Sequence, residues 1–407
     1  MVLQRHGDRG QTVVTFGGDD VEYLRSTAAA EQLREVDGYA LSDATVVGDI
    51  ALARRCFGDR AAALVETVLL RRKARAKLAD ADDWLFTADA LQQATATEVA
   101  RHRARRLSGL VVHDVTCSIG AELAALRLTT AGLLGSDLDQ VRLAMARHNV
   151  PDVALCRADA LRPITRDAVV LADPSRRRAG RRRFDPRDYD PPLDQLLAIY
   201  RDRDLVVKCS PGIDFDQLRR LGFIGEIELT SLAGDVREAC LWSAGLAERG
   251  VARRATVLRG DGAVEQITDL ESADCRVRDA GRWIVDPDGA VVRAGLVRHY
   301  AARHGLWQLD PNIAYLSGDG LPAGVRGFEV IERMPFGERR LRQALAALDC
   351  GAVEILVRGV NVDPAQLRPR LRLGGSQQMS VVITRIGAGG ASRATAFICR
   401  PSRGRPG

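Results

Sequence analysis

The sequence predicts an α/β fold: an open, mostly parallel sheet closed by an antiparallel hairpin, preceded by a helical leader and followed by a small α/β region. Three observations predict it. From about Gly109 to Leu246, apolar runs of strand length alternate with stretches of helical spacing, the pattern of parallel strands joined by crossover helices. From Val21 to about Leu107 the apolar residues recur at helical intervals only. Beyond Arg249, hairpin turns, short strand-like runs and shorter helical stretches replace that alternation. At 407 residues the chain is too long for one core, so two or three domains of about 100–200 residues are expected.

Residues 1–18 are polar and contain glycine, as a loose arm does. The helical region, 19–107, contains VEYLRSTAAAEQLREV, ATVVGDIALARRCFG, AAALVETVLLRRKARAKL and, after Trp84-Leu85-Phe86, TADALQQATATEVARHRARRL. Asp43 and Thr87 are the expected N-caps. The core, 108–248, has strands predicted at 110–114, 133–137, 153–157, 168–172, 204–209, 225–231 and 237–243, the last two joined through Gly234-Asp235. Residues 249–326 read as a connecting α/β region, with a hairpin around Gly260-Asp261-Gly262 and a helix starting near Asp286-Pro287-Asp288. From 327 to 401 the chain runs GFEVIERM, a helix over 338–348, VEILVRG, a helix PAQLRPRLRL, MSVVITRI and ATAFICR, before a disordered tail at 402–407.

Composition narrows the setting. The pI is near 9.0 and the net charge +6, and of 59 basic residues only Lys73, Lys77 and Lys208 are lysines. Only clustering of the arginines therefore counts as evidence, and phosphate is the first partner that clustered guanidinium groups would hold. The eight cysteines form no CxxC pair, the first residues lack an apolar leader segment, and no apolar run of about 18 residues occurs. A soluble cytoplasmic protein with free thiols and no membrane partner is expected. None of the six histidines has a partner at metal-ligand spacing, so no metal site is expected.

The stretch GLVVHDVTCSIGAELAALRLTTAGLLGSDLD reads as strand, tight turn, helix and strand with an acid at each strand end. Asp137 and Asp139 follow the turn by about 20 residues, the layout of a nucleotide-type ligand across two parallel strands. A pyrophosphate needs three glycines to approach, and DVTCSIG keeps only Gly120, which argues against NAD or FAD. Thr116 and Ser118 suit a ligand with hydroxyl, amine and carboxylate groups instead.

Here the chain resembles the class I S-adenosylmethionine-dependent methyltransferases, whose first motif is an acid followed by a glycine-rich or DxxCGxG-like turn. The resemblance implies that Asp114, Thr116, Cys117, Ser118 and Gly120 cradle the cofactor, that Asp137, with Asp139 beside it, binds the ribose, and that Leu138 meets the adenine. Asp159-Ala160 in CRADA would face the adenine amine. Asp173-Pro174 in LADPSRRR matches the D/N-P-P-x position, with Ser175-Arg176 in place of the Pro-aromatic pair that stacks a flipped base. Asp173, Pro174 and Ser175 are thus the implied catalytic positions.

Three other stretches bear on the acceptor. RRRAGRRRFDPRDYDPP, residues 176–192, holds seven arginines directly after the implied catalytic site. A charge run is ordinarily a solvated face, but one emerging at the carboxyl edge of the sheet would hold a polyanion, and Arg176, Arg177, Arg181, Arg182 and Arg183 are the candidate substrate-binding residues. Cys209 in VVKCSPGID, taken with DPSR, is similar to the DPPR and SCNP motifs of uracil-C5 methyltransferases, which implies a thiolate activated by Lys208. Ser175 after Pro174 speaks against that, and a buried cysteine is the simpler reading. In residues 91–107, Gln92, Gln93 and Thr95 could reach back over the cofactor while Arg101, Arg103, Arg105 and Arg106 make another basic face; the plain alternative is a helix packed on the sheet with solvated arginines.

Taken together, WLFTADALQQAT, DVTCSIG, SDLD, ARHN, DPSRR-GRR, KCSPGID, REACLW, WIVDPDGAVVRAG and LRPRLRL resemble the bacterial class I methyltransferases with a C-terminal THUMP-like domain. The resemblance implies a Rossmann-like class I methyltransferase sheet, a THUMP-like domain over 327–401, S-adenosylmethionine as cofactor, and a structured RNA, tRNA or rRNA, as acceptor. Two other functions stay open at this point: methylation of a small anionic metabolite, and RNA binding without catalysis.

Overall fold

The computed structural model describes residues 15–178, 181–182, 185–387 and 392–402. They fall into two compact units, Met1–Gly225 with Cys240–Leu246, and Glu226–Ala239 with Ala247–Gly407.

In the first unit the leader forms α1 (Gly18–Leu24), α2 (Thr27–Asp37), α3 (Val46–Phe57), α4 (Ala61–Ala74), α5 (Ala88–Gln93) and α6 (Thr97–Arg106). Two expected helices are each broken in two. Ser26 interrupts the first because its side chain accepts from the Ala29 amide at 3.2 Å and starts α2 afresh. The other breaks after Ala94, whose extended backbone turns the chain before α6. Thr87 caps α5 as expected. Thr45, not Asp43, precedes α3, and its hydroxyl accepts from the Ser42 amide, so the helix starts two residues later. α4 buries Leu64, Val65, Val68 and Leu70 around nearly its whole circumference, which makes it the central helix of the leader. Leu64, Leu85 and Phe86 form one core with Ile119 and Met145.

The sheet follows the predicted alternation. Its strands are β1 (Val111–Asp114), β2 (Gly132–Asp137), β3 (Ala154–Arg157) and β4 (Val169–Ala172). After the two-residue strands β5 (Arg177–Arg178) and β6 (Arg181–Arg182) comes β7 (Leu205–Cys209). Crossovers run through α7 (Ala121–Leu126), α8 (Gln140–Asn149), α9 (Leu193–Ile199) and α10 (Phe215–Arg220). The order is β7-β4-β1-β2-β3, all parallel, with Asp114 opposite both Gly135 and Leu171. Val112, Val170, Leu171 and Val206 are buried, as strands covered on both faces require. Because β2 and β4 flank β1 on opposite sides, the winding reverses there and a crevice opens at the carboxyl ends. Cys240 and Trp242 complete the apolar cluster around Val112, Leu171 and Val206.

β8 (Gly225–Leu232) and β9 (Asp235–Ser243), whose last residues from Cys240 on belong to the first unit, form the expected hairpin. Its turn is tighter than the sequence reading: two residues, Ala233 and Gly234, both at positive φ, which suits the twist of paired strands. β10 (Arg253–Leu258) runs parallel to β8 and antiparallel to β11 (Val264–Thr268). Seven further strands, β12 (Trp283–Val285), β13 (Trp307–Gln308), β14 (Leu316–Gly318), β15 (Gly327–Pro335), β16 (Cys350–Arg358), β17 (Gln377–Ile386) and β18 (Arg393–Pro401), form one sheet in the order β13-β14-β12-β15-β18-β17-β16. α11 (Gly289–Arg293), capped by Asp288, and α12 (Val297–Arg303) follow β12. α13 (Glu338–Ala347) and α14 (Pro364–Arg370) lay Leu341, Leu345 and Leu367 on the sheet. Ser402 still pairs with Gly327, and 403–407 lie outside the described residues.

No disulfide joins the eight cysteines. No helix among the described residues is long and apolar enough to cross a membrane.

Candidate active site

The crevice over β1, β2 and β4 is a cavity of about 420 Å³, within the range of about 300–1,000 Å³ common for small-molecule sites. The turn after β1 forms its floor and is tied to both neighbouring strands. Asp114 Oδ1 accepts from the Thr116 amide at 3.1 Å, and Thr116 Oγ1 accepts from the Asp173 amide at 2.6 Å. The Cys117 amide donates to the Ser136 carbonyl at 2.9 Å, and the Ser118 amide to Asp137 Oδ2 at 2.9 Å. Ser118 and Gly120 both have positive φ. Gly120 starts α7 and does not line the cavity; a Cβ there would meet Val150 Cγ2 at 2.9 Å.

At the end of β2, Asp137 Oδ1 accepts from the Asp139 amide at 2.9 Å, while Asp139 caps α8 by accepting from Val141 and Arg142. Leu138, between them, is 57% exposed and lines the cavity. Asp159 and Ala160 line it too; the Ala160 carbonyl accepts from the Tyr200 hydroxyl at 2.7 Å. Of the ten positions expected around the cofactor, all but Gly120 line this cavity.

Seven acidic side chains (Asp114, Glu122, Asp137, Asp139, Asp159, Asp173 and Asp190) and only two cations, Arg142 and Lys208, line the cavity. Such a wall favours a cationic ligand and opposes a pyrophosphate. Burial pushes the Asp114 carboxyl up to about 8, and the neighbouring Glu122 and Asp173 charges add to the effect. Burial pulls the other way on Glu122, but the Arg103 and Lys208 charges outweigh it and hold that carboxyl below its ordinary range.

Asp173 and Ser175 line the opposite end; Pro174 is buried behind them. Ser175 and Asp190 exchange backbone hydrogen bonds of 2.7 and 3.0 Å, so the arginine excursion leaves and rejoins the molecule at the cavity wall. Within it Arg177 pairs with Arg182 and Arg178 with Arg181 through the backbone. Arg176 is half-buried off the cavity, whereas the side chains of Arg177, Arg181 and Arg182, and all of Arg183, lie outside the described residues.

Lys208 was read in the sequence only as a neighbour of Cys209, yet it reaches the cavity and bonds Asp173 Oδ2 at 2.5 Å. Its rarity in an arginine-rich chain, at a strand end, was the available signal. Cys209, the next residue, is 1% exposed and off the cavity wall. The leader contributes Gln93 and Thr95 to the wall, whereas Gln92 is exposed elsewhere. The expected basic face on α6 is corrected: Arg103 is 2% exposed and pairs with Glu122, and Arg106 stacks over Trp242 at 3.8 Å, so both turn inward to partners distant in sequence.

Three comparisons bear on this geometry. A family model described as THUMP domain-like matches residues 325–401. Two proteins of Mycobacterium tuberculosis, from strains CDC 1551 / Oshkosh and H37Rv, each named an uncharacterized S-adenosylmethionine-dependent methyltransferase, are 65% identical over 360 residues, 86% of this chain and 100% of theirs. A crystal structure from Porphyromonas gingivalis W83, named as a candidate methyltransferase, matches 96% of this chain and 100% of its own with a TM-score of 0.75 at 19% identity, which shows a shared fold.

Proposed function

We propose, for a chain that belongs to the S-adenosylmethionine-dependent methyltransferases, that the methyl acceptor is a structured RNA of the tRNA or rRNA class. S-adenosylmethionine is the cofactor. The acid-rich cavity suits its sulfonium and ammonium charges, and the hydroxyl-bearing turn suits a ligand without phosphate. In this reading Asp114 and the Thr116–Ser118 turn hold the methionine end, Asp137 and Asp139 the ribose, and Leu138, Asp159 and Ala160 the adenine.

The cofactor supplies an electrophilic methyl group; the chain's own residues supply alignment, which is where such a transfer gains most of its rate. Asp173 accepts a hydrogen bond from the acceptor group, Pro174 and Ser175 shape its seat, and the arginine excursion takes the flanking phosphates. One observation carries the RNA reading: the Ser175–Asp190 pairing roots the excursion at the cavity. The THUMP-like match at 325–401 supports it independently.

The test has two stages. S-adenosylmethionine binding is measured by calorimetry, and the protein is then incubated with labelled cofactor and total RNA from a strain lacking the gene. Label in folded RNA is expected; label confined to small anionic molecules would replace RNA with a metabolite acceptor.

A further inference from the structure

Lys208 is the penultimate residue of β7 with a side chain only 8% exposed, and groups from three different elements stand around its ammonium. Asp173 Oδ2 lies at 2.5 Å beyond β4, Glu122 Oε2 at 3.5 Å on α7, and Thr95 Oγ1 accepts from it in the turn between α5 and α6. Asp173 Oδ2 and Thr95 Oγ1 accept hydrogen bonds from the ammonium, whereas Glu122 Oε2 stands at ion-pair distance. Glu122 Oε1 is paired with buried Arg103, and of the two acids Asp173 is the one that Lys208 holds by a hydrogen bond. The Asp173 side chain is 34% exposed and lines the cavity, so Oδ2 is fixed while the carboxylate still faces a ligand.

The same lysine reaches the leader. Thr95 is buried and lies on the cavity wall beside Gln93. From the other side Lys77 Nζ donates to the carbonyls of Leu91 at 3.1 Å and Gln92 at 3.0 Å, at the end of α5. Two of the three lysines in the chain thus grip one short turn.

We infer that Lys208 is a positioning residue for methyl transfer, joining the Asp173 carboxylate and the Thr95 turn into one unit so that the leader wall and the acceptor end of the cavity are set together. The inference rests on the assignment of Asp173 to the acceptor end, but not on which acceptor is used. Arginine, larger and planar, cannot present donors to Asp173 and Thr95 from the same point, so charge alone should restore the arrangement only in part.

Hydrogen exchange read by mass spectrometry on the full chain, with and without S-adenosylhomocysteine, tests it without an acceptor. In Lys208→Met, peptides covering 91–97 and 173–176 should exchange faster together, while those covering 61–74 keep wild-type rates; Lys208→Arg should recover part of the protection. Should Lys208→Met fail to fold, Thr95→Val loses only the hydroxyl contact and should accelerate exchange in 91–97 alone. With labelled cofactor and total RNA, Lys208→Met should lower the labelling rate about a hundredfold, the scale set by small misplacements of reacting groups, with cofactor affinity within about threefold. Unchanged exchange in 91–97, or lost cofactor affinity at an unchanged labelling rate, overturns the inference. If the wild-type protein labels no RNA, the RNA acceptor falls and the exchange result still decides the role of Lys208.

Discussion

The Asn149 side chain imitates a neighbouring β-strand for Leu85: Oδ1 accepts from the Leu85 amide at 2.8 Å, and Nδ2 donates to the Leu85 carbonyl at 3.0 Å. Nδ2 also donates to the Ile119 carbonyl at 2.9 Å, so one amide group joins the leader to the turn that floors the cavity. Asn149→Ala leaves three buried backbone groups unpaired and should cost about 2–4 kcal/mol. The first unfolding transition in a calorimetric scan should shift down accordingly, and a shift equivalent to less than about 1 kcal/mol would show that water replaces the amide.

Gly135 is a strand glycine with no room for a side chain. A Cβ would lie 2.6 Å from Leu123 Cδ1, 2.7 Å from Leu155 Cδ2 and 3.2 Å from Cys117 Cβ. The leucine ends can move, but Cys117 is held by its turn, so Gly135→Ala should destabilise by about 1–3 kcal/mol. Urea unfolding of the variant beside wild type reads the difference.

Asp137 ties the turn after β1 to the start of α8 by accepting from the Ser118 and Asp139 amides. Asp137→Asn keeps the shape but loses charge-assisted acceptance, and affinity for S-adenosylhomocysteine should fall about tenfold to a hundredfold. Isothermal titration decides it; an unaltered Kd would remove Asp137 from the ribose.

Asp114 should make cofactor binding pH-dependent. With its pKa raised from 3.8 to about 8, the native protein keeps a proton that the unfolded chain has released between those values, so native stability falls as pH rises through that window. A cationic ligand favours the ionised carboxylate, so binding near pH 7 should release about one proton and tighten toward pH 8. Binding heats in two buffers of different ionisation enthalpy should differ for the wild type and agree for Asp114→Asn; equal heats for both proteins would count against this.

The arginine excursion should act through phosphates. Replacing Arg181, Arg182 and Arg183 by Ala should weaken RNA binding and reduce the slope of log K against log salt by about 2–3, as expected for the loss of three phosphate contacts. Filter binding over a salt series measures the slope, and an unchanged one would detach these residues from RNA.

The acids of the site were legible because each is delivered by a short apolar run, and a run of that length fixes where a strand ends: Asp114, Asp137 and Asp173 all lie at the predicted edge. Thr87 was legible as a cap because capping is local. The Lys208–Asp173–Thr95 cluster was not, since its members are joined by chain folding alone and nothing within a few residues of Lys208 marks its partner. Arg103 misled for the same reason: on an isolated helix an arginine belongs in water, and only Glu122, brought in by α7, makes an interior position tolerable. The helix breaks at Ser26 and after Ala94 were hidden because the flanking residues are good helix formers and the interruptions come from side-chain competition and tertiary contacts.

The first unit is discontinuous, closed by Cys240–Leu246 only after the chain has passed through Glu226–Ala239. During synthesis its apolar cluster therefore waits for Trp242, which emerges about 1–3 seconds after Gly225 at ordinary ribosome speeds of roughly 5–20 residues per second. A nascent chain stalled or cleaved in that interval exposes the apolar edge where Cys240 and Trp242 belong, so a product truncated there presents an unpaired strand edge to chaperones or to other chains.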